Sequence, residues 1–349
     1  MKKFIETLKN CWKIEDLRKR LLVTILFTAI YRFGSFIVLP GINPSLLEKL
    51  QSQTAGGLMS LLDMFSGGAF SKASIFALGI MPYISASIVM QLLAVAVPYF
   101  QKMQRDGESG HKKINWYTRV LTIFILFFQA PAYLFNLKTQ AAGALATGVN
   151  WTLFMVSASI ILAAGSMFIL WLGERITDKG VGNGVSIIIM VGIIARLPQA
   201  FFQEVSSRFT AITSGGLVMF IVEIIILYLV VCAAILLTQG TRKIPVQYAK
   251  KVVGNKQYGG ARQYIPLKLF AANVMPIIFA QALMFIPLAF VQYSTDSASP
   301  VFQSLMNTKS LLYNSIYVIL IIAFTYFYTA ITLNPTQMAE DMKRNNGFI

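Results

Sequence analysis

The chain has 349 residues, of which 56% are apolar and 13% are charged, and its formal net charge is +16 at pH 7. A soluble domain carries roughly a quarter of charged residues, so this composition excludes an ordinary soluble protein. The apolar residues cluster in runs of about 20, the length that crosses a bilayer as a helix. The sequence therefore predicts an all-α polytopic membrane protein.

The first 20 residues are predicted to form a basic amphipathic helix on the cytoplasmic face of the membrane. Phe4, Leu8 and Trp12 recur at helical spacing, with seven lysine and arginine residues among them. This segment carries too much charge for a cleavable secretory signal, and we expect none.

Eight long apolar runs follow, and each is predicted to be a membrane-spanning helix. They are called spans 1 to 8 and cover residues 21–39, 74–97, 116–137, 151–172, 185–202, 217–237, 269–291 and 311–332. A charged loop at 101–113, a neutral loop at 139–150 and a glycine-rich turn at 173–184 are predicted between spans 2 and 5. The only long hydrophilic segment is 238–268, between spans 6 and 7.

The lysine and arginine residues indicate how these spans are oriented. With the basic N-terminus in the cytoplasm, all but seven of the 30 lie in cytoplasmic segments or at the helix ends beside them. Cytoplasmic loops of membrane proteins carry an excess of these residues, so the distribution predicts a cytoplasmic N-terminus. The seven exceptions are Arg32, Lys49, Lys72, Lys138, Arg196, Arg208 and Lys309.

The stretch 58–93 has the most distinctive pattern in the chain. A short amphipathic segment leads into Gly67 and Gly68, and Gly79 and Pro82 then interrupt the apolar run of span 2. A proline inside a helix removes one backbone hydrogen bond and clashes with the preceding turn. We therefore predict a small hinged helix followed by a kinked membrane helix.

Branched aliphatic residues lie beside helix breakers in three of the spans. Ile80 and Ile84 stand on either side of the proline in span 2 and share a helix face. Val185 and Ile189 follow the glycine-rich turn, and Ile278 follows a proline in span 7. Ordinary packing explains any one of these residues, whereas a shared apolar constriction would explain the pattern.

The hydrophilic segment 238–268 contains no acid. Its strand-like residues alternate with glycine turns, which predicts a projecting hairpin. Most basic loops only contact anionic lipid, but a long hairpin without acids also suits a polyanion such as structured RNA. Its basic residues are Arg242, Lys243, Lys250, Lys251, Lys256, Arg262 and Lys268.

The sequence offers no recognisable set of residues for catalysis. His111 is the only histidine, no nucleophile with a partner base is found, and the glycine-rich turn lacks the lysine of a phosphate-binding loop. Cys11 and Cys232 have no metal-ligand neighbours in the sequence. We therefore predict that the protein is not an enzyme and uses no cofactor and no metal.

Glu223 is the one acid deep inside an apolar run, in span 6. Acids within the membrane are candidates for a function. Broken helices at Pro82 and Pro276, with Glu223 as the coupling acid, would suit a secondary transporter of small solutes. The other interpretation is a structural ion pair or hydrogen bond to a neighbouring helix.

Four blocks of sequence point to a family. They read FSGGAFSKASIFALGIMPYISASIVMQLL, GESGHKKINWYTR, GERITDKGVGNGVSIII and RKIPVQYAKKVVGNKQYGGARQYIPLK, in this order along nearly the whole chain. Together they closely resemble the SecY family, the pore subunits of the bacterial protein-translocation channel. The resemblance implies a SecY-type helical bundle of two inverted-repeat halves hinged like a clamshell.

The implied domains are the amphipathic helix 1–20, an N-terminal half at 21–203 and a partial C-terminal half at 204–349. The family has ten membrane helices, so eight of the expected ten are present in this sequence. We therefore expect either that the sequence is a fragment or that the rest of the protein is a separate chain.

The resemblance implies the central subunit of a channel with two routes for its substrates. Unfolded secretory polypeptides cross the bacterial cytoplasmic membrane, and membrane helices leave laterally into the lipid. The implied pore ring consists of Ile80, Ile84, Val185, Ile189 and Ile278. A plug at about 58–68 would close the pore from outside, through Leu58, Leu61, Leu62, Met64, Phe65, Ser66, Gly67 and Gly68.

A lateral gate is implied where spans 2 and 3 face spans 7 and 8, and a docking loop in the basic hairpin. The gate residues would be Ser85, Ser87, Gln91, Asn273, Gln281 and Ile286. The residues that bind the ribosome, or the motor ATPase SecA, would be Arg242, Lys243, Lys250, Lys251 and Lys256. Asn273 and Gln281 depart from the expected pattern, because smaller or apolar residues are expected there.

The implied partners follow from the same resemblance. They are small SecE-like and SecG-like membrane subunits, ribosomal RNA and proteins at the exit tunnel, SecA, nascent secretory and membrane polypeptides, and anionic lipids.

Overall fold

The chain divides into two compact units in a computed structural model. The first consists of Met1–Phe201 with Ala282–Ser315, and the second of Phe202–Gln281 with Ile316–Ile349. The structure describes residues 6, 12–44, 47, 63, 65–140, 150–210, 216–248, 251–253, 256–258, 262–272, 275–277, 279–281, 283–284, 310–332, 335–344 and 347–348.

Helices dominate the described part of the first unit. They are α1 (Glu15–Gly34), α2 (Met81–Ala96), α3 (Pro98–Arg105), α4 (Gly107–Gln140), α5 (Trp151–Lys179), α6 (Gly184–Ile194) and the start of α7 (Leu197–Thr210). The last residues of the predicted amphipathic segment, 15–20, belong to α1, which then continues into span 1.

Within the described residues, five helical segments are long and apolar enough to cross a membrane. They are Gly107–Phe135, Trp151–Lys179, Gly184–Arg208, Val218–Gln239 and Leu311–Ala330. These segments correspond to predicted spans 3, 4, 5, 6 and 8, and they make the chain a multi-pass membrane protein. A bent pair, Met81–Ala94 with Pro98–Gln104, is a further candidate. Span 7 lies largely outside the described residues.

Span 2 differs from its prediction. Residues 66–80 form turns and one β-bridge, from Ser74 to Val38, instead of helix. Helix α2 begins only at Met81, and Pro82 lies in its first turn. Proline suits the first turn because the missing N–H would have no partner within the helix. The predicted kink at Pro82 is therefore wrong. The bend of 102° falls instead between α2 and α3, where Val97 is extended before Pro98.

The predicted loop at 101–113 is also wrong, because α3 and α4 run through it. Only a short break separates them, and Gly107 has a φ of +70° there. Glu108 and Lys112, four residues apart in α4, form an ion pair of 3.0 Å. Such pairs support a helix by a few tenths of a kcal/mol, so charged residues in this segment are compatible with a helix.

The glycine-rich turn is confirmed over residues 180–183, after α5 has continued to Lys179. Gly182 has a φ of +70°. The Asn183 side chain then caps α6 by accepting a hydrogen bond of 3.2 Å from the backbone N–H of Ser186. Asparagine is among the best residues for this position.

The core of the first unit lies where α4, α5 and the turns before α2 meet. Leu126, Leu134 and Leu162 have no measurable exposure. Because lipid tails are as apolar as leucine, close packing between helices holds such a core together, and not removal of its side chains from water. The core also contains Leu39, Ile42, Leu47, Phe70, Ala73, Ala77, Leu78, Ala130, Tyr133, Leu137, Phe154 and Ala158.

The described part of the second unit combines helices with a β-hairpin. The helices are α8 (Gly216–Gln239), α9 (Leu311–Thr332), which begins in the first unit, and α10 (Pro335–Arg344). The strands are β1 (Thr241–Tyr248), β2 (Lys251–Val253), β3 (Lys256–Tyr258), β4 (Arg262–Lys268) and β5 (Gly347–Phe348).

The predicted hairpin in 238–268 is confirmed. Strands β1 and β4 pair antiparallel from Thr241 opposite Lys268 to Gln247 opposite Arg262, and β2 pairs with β3 between them. Strand β5 adds to the other edge of β1, with Phe348 opposite Gln247. Nothing in the sequence pattern predicted this third strand.

Candidate functional site

Side chains of two helices donate hydrogen bonds to the backbone of the turns before α2. We call residues 65–71 the fastened segment. From α1, the Tyr31 hydroxyl donates to the Ser66 carbonyl over 3.3 Å, and Arg32 Nη1 donates to the Gly67 carbonyl over 3.0 Å. From α4, the Tyr133 hydroxyl donates to the Phe70 carbonyl over 2.8 Å. These donors satisfy carbonyl groups that no helix or sheet serves.

Two glycines allow the same segment to approach α6 closely. Gly67 and Gly68 have φ angles of +66° and +88°, which other residues rarely adopt. A Cβ atom added to Gly192 of α6 would lie 2.6 Å from the Phe65 carbonyl oxygen. The contact therefore depends on glycine on both sides.

A buried carboxylate, that of Asp63, connects the two ends of this segment by hydrogen bonds. Asp63 Oδ1 accepts a hydrogen bond of 2.8 Å from the backbone N–H of Ser71. Asp63 Oδ2 is paired with the guanidinium group of Arg196, which also donates to Ser71 Oγ over 3.3 Å. The Asp63 carbonyl accepts from the backbone N–H of Gly68 over 2.8 Å. The acid thus holds residues on both sides of the glycine pair.

Two further cations lie close to this pair. Lys72 Nζ is 3.9 Å from the centre of the Phe36 ring, and Arg32 approaches the same ring. Burial and the Arg32 and Arg196 guanidinium groups lower the pKa of Lys72, and the Asp63 carboxylate opposes this shift. Lys72 therefore interacts electrostatically with both arginines and with the acid.

Sequence reasoning missed this cluster, although a signal was present. Arg32, Lys72 and Arg196 are three of the seven cations that break the positive-inside pattern. Asp63 is the only acid between Glu48 and Asp106. Cations on the unexpected side of the membrane, together with an isolated acid, indicate an ion pair.

Four of the five residues predicted for a pore ring lie in the first unit, on or directly before two of its helices. Ile80 and Ile84 are buried, and the Ile84 N–H donates to the Ile80 carbonyl over 3.1 Å, so both start the same helix turn. Val185 and Ile189, on α6, are half-buried. Ile278 lies outside the described residues, and the ring stays a prediction.

The predicted plug is described only at its C-terminal end. Phe65 is half-buried, and Ser66, Gly67 and Gly68 are buried, in the fastened segment. The other predicted plug residues, Leu58, Leu61, Leu62 and Met64, lie outside the described residues.

The predicted lateral gate is also described in part. Ser85 and Ser87 are half-buried on α2, and Gln91 Nε2 donates to Ser87 Oγ over 3.4 Å. In the second unit Gln281 is buried, with 3% of its surface exposed. Asn273 and Ile286 lie outside the described residues.

The predicted docking residues follow the hairpin of the second unit. Arg242 and Lys243 are exposed on β1, Lys251 belongs to β2 and Lys256 to β3. Lys250 lies outside the described residues. An antiparallel hairpin that carries cations and no acid presents a surface for a polyanion.

Glu223 forms an ion pair at the junction of α7 and α8. Arg208 Nη2 lies 2.5 Å from Glu223 Oε1, and Arg208 Nε lies 2.8 Å from Glu204 Oε1. One cation thus joins an acid of its own helix to an acid of the next. This arrangement agrees with the structural interpretation of Glu223.

Comparisons with known proteins identify relatives along the chain. A family model named SecY matches residues 74–349. A curated relative from Aquifex aeolicus (strain VF5), named protein translocase subunit SecY, is 38% identical over 347 residues. That match covers 99% of this chain and 80% of the relative.

Solved structures share the fold. One is a SecY protein whose plug domain is described as stabilising the closed state of the translocation channel and maintaining a membrane seal. Its TM-score is 0.60 at 18% identity, over 95% of this chain and 76% of that one. Another is Sec61 in the canine ribosome–channel complex from the endoplasmic reticulum. Its TM-score is 0.58 at 19% identity, over 93% of this chain and 75% of that one.

Proposed function

Since the chain belongs to the SecY family and is a subunit of a protein translocation channel, we propose that its apolar ring is the path of the polypeptide. Unfolded secretory chains pass this ring, and membrane helices leave it sideways into the lipid. The ring consists of Ile80, Ile84, Val185, Ile189 and Ile278. The observation that carries this assignment is the buried pair Ile80 and Ile84, directly after a segment fastened by α1, α4 and α6.

The chemistry of the ring suits a channel that must pass many sequences. Branched aliphatic side chains offer no hydrogen bonds, so no particular peptide binds strongly and diverse chains slide. A narrow apolar constriction also resists ions, because water leaves it readily. The chain itself carries out no catalysis in this proposal; it provides the path.

The fastened segment is the end of the plug in this proposal. Ser66 and Gly67 accept hydrogen bonds from two side chains of α1, and one ion pair, Asp63 with Arg196, holds the segment beside them. A segment of this kind moves away at a small cost. A signal helix that binds better to the open state then shifts the population toward it. The gate residues Ser85, Ser87, Gln91, Asn273, Gln281 and Ile286 form the exit to the lipid.

The basic hairpin binds the ribosome, through RNA and proteins at the tunnel exit, and SecA at other times. Its exposed cations Arg242 and Lys243 support this assignment, and a Sec61 channel that shares the fold is known in a ribosome complex. Small SecE-like and SecG-like subunits and anionic lipids complete the assembly. The protein lies in the bacterial cytoplasmic membrane with its N-terminus in the cytoplasm.

Site-specific photocrosslinking tests the path. A photoreactive residue at Ile84, or at Ile278, is introduced into the complete translocase, and a secretory chain is stalled on the ribosome. We expect crosslinks from both positions to the translocating segment. The matched control is Val89, which is exposed on the same helix as Ile84 and should give weaker crosslinks. No crosslinks from Ile84 in an inserted, ribosome-bound channel would contradict the proposed ring.

A further inference from the structure

We infer that the ion pair between Asp63 and Arg196, with Ser71, is a latch that determines how strong a signal sequence must be to open this channel. This inference rests on the proposed function, because it treats the fastened segment as the end of the plug. It assigns a specificity role to residues outside the ring, the gate and the hairpin.

The position of the latch gives it control over the hinge. Asp63 precedes the Gly67–Gly68 pair and Ser71 follows it, and the carboxylate accepts the Ser71 N–H over 2.8 Å. Arg196 reaches both residues from the break between α6 and α7. Movement of this segment away from Arg196 therefore requires that these contacts break.

The guanidinium group also covers the hinge itself. A Cβ atom added to Gly68 would lie 3.2 Å from Arg196 Nη2 and 3.3 Å from Nε. On the other side, Arg32 donates to the Gly67 carbonyl over 3.0 Å. Each glycine thus has one arginine against it, and opening must separate the segment from both.

The burial of the two partners suits a contact that breaks and re-forms. The Asp63 side chain is 3% exposed, whereas that of Arg196 is 39% exposed. Attraction within such a pair is largely offset by the cost of removing the acid from water. The net stabilisation of the closed state is therefore small, but loss of one partner is costly. Loss of Asp63 also removes the negative charge that opposes the repulsion of Lys72 by Arg32 and Arg196.

The test uses Asp63→Asn, Arg196→Gln and the double variant in the complete translocase in native membranes. The first readout is the labelling rate of a cysteine at Phe65 with a membrane-impermeant thiol reagent, after serine replaces Cys11 and Cys232. The second is export of one secretory protein with its full-strength signal sequence and with a weakened one. Arg119→Gln and Glu174→Gln, which break another ion pair of the first unit, are the controls.

We expect each single variant to raise labelling and export of the weak-signal substrate by about tenfold, with full-strength export unchanged. The double variant should add little, because either change alone opens the latch. The controls should behave like the unmodified protein. Arg196→Lys keeps the charge without the planar guanidinium group. Its labelling rate and its weak-signal export should lie between those of the unmodified protein and those of Arg196→Gln.

Unchanged labelling and unchanged weak-signal export in the inserted variants would overturn the latch, and so would strictly additive effects in the double variant. If Asp63→Asn fails to accumulate, Arg196→Lys and Arg196→Gln decide the matter by the same readouts. Failure of the latch leaves full-strength export and the Ile84 crosslinks intact. Failure of the proposed path is seen instead as loss of those crosslinks in the unmodified channel.

Discussion

In the proposed channel, individual isoleucine side chains close the pore against ions, and their burial suits this role. Ile84 is 8% exposed on α2, and Val89, five residues later on the same helix, is 39% exposed. A polar side chain in place of Ile84 would bring water into the constriction. The same change at Val89 would place the polar group outside the packed interior of the first unit.

We expect Ile84→Asn to raise the resting ion conductance of the channel in planar bilayers and to relax signal-sequence discrimination. An amide buried without partners costs about 1–3 kcal/mol, which favours hydrated, open conformations. Val89→Asn is the matched control and should leave the conductance unchanged. Equal conductance in both variants would mean that Ile84 is a packing residue and not part of a ring.

Charged residues at unexpected positions were the most informative single residues in the sequence. Lys138, another exception to the positive-inside pattern, lies 4.4 Å from the centre of the Trp151 ring, and Arg208 is paired with two acids. Cations outside the cytoplasmic segments therefore have identifiable partners in the described residues. The sequence identifies these cations as exceptions to the positive-inside pattern. Most of their partners are distant in the chain, and only the fold brings them together.

At the scale of elements, the basic hairpin is the clearest success of sequence reasoning. Strand-forming residues between glycine turns predicted it, and the ladder between β1 and β4 is local enough to follow from that pattern. Strand β5 could not be predicted, because two residues, Gly347 and Phe348, pair with β1 about 100 positions away. Short non-local strands have no sequence period of their own.

We expect reversal of Arg242 and Lys243 to Glu to weaken ribosome binding, and to weaken it most at low salt. Each lost phosphate contact reduces the salt dependence of binding by about one unit of the logarithmic slope. The control reverses Lys112 and Lys113, two exposed cations of α4, and so makes the same change in net charge. Cosedimentation over a salt series measures both. Equal weakening in the two variants would show that net charge matters and the hairpin does not.

Span 2 shows where element prediction fails. Its apolar composition is real, but hydrophobicity alone does not distinguish helix from buried turns. Residues 66–80 avoid a helix because Gly67, Gly68 and Gly79 take left-handed angles, and because side chains from α1 and α4 satisfy their carbonyl groups. The donors come from other helices, so the local sequence could not reveal them.

At the scale of the whole molecule, composition predicted the class of protein and most of its described membrane helices. Helix α9 coincides with span 8 at residues 311–332, and α8 extends span 6 by one residue at its start and two at its end. Long apolar runs give reliable helices because every backbone group in lipid must be paired within the segment. The fastened segment depends instead on contacts between distant parts of the chain.

The distribution of charge predicts one orientation for the whole protein, and labelling tests it. Cys11 and Cys232 are first replaced by serine. One cysteine is then introduced in each of two variants, at Asn43 or at Gln247, and both positions are exposed. Because cytoplasmic segments carry the excess of lysine and arginine, Gln247→Cys should react only after the membrane is permeabilised. Asn43→Cys should react from outside in intact cells. The reverse result, or labelling of both from one side, would contradict the orientation and the cytoplasmic position of the hairpin.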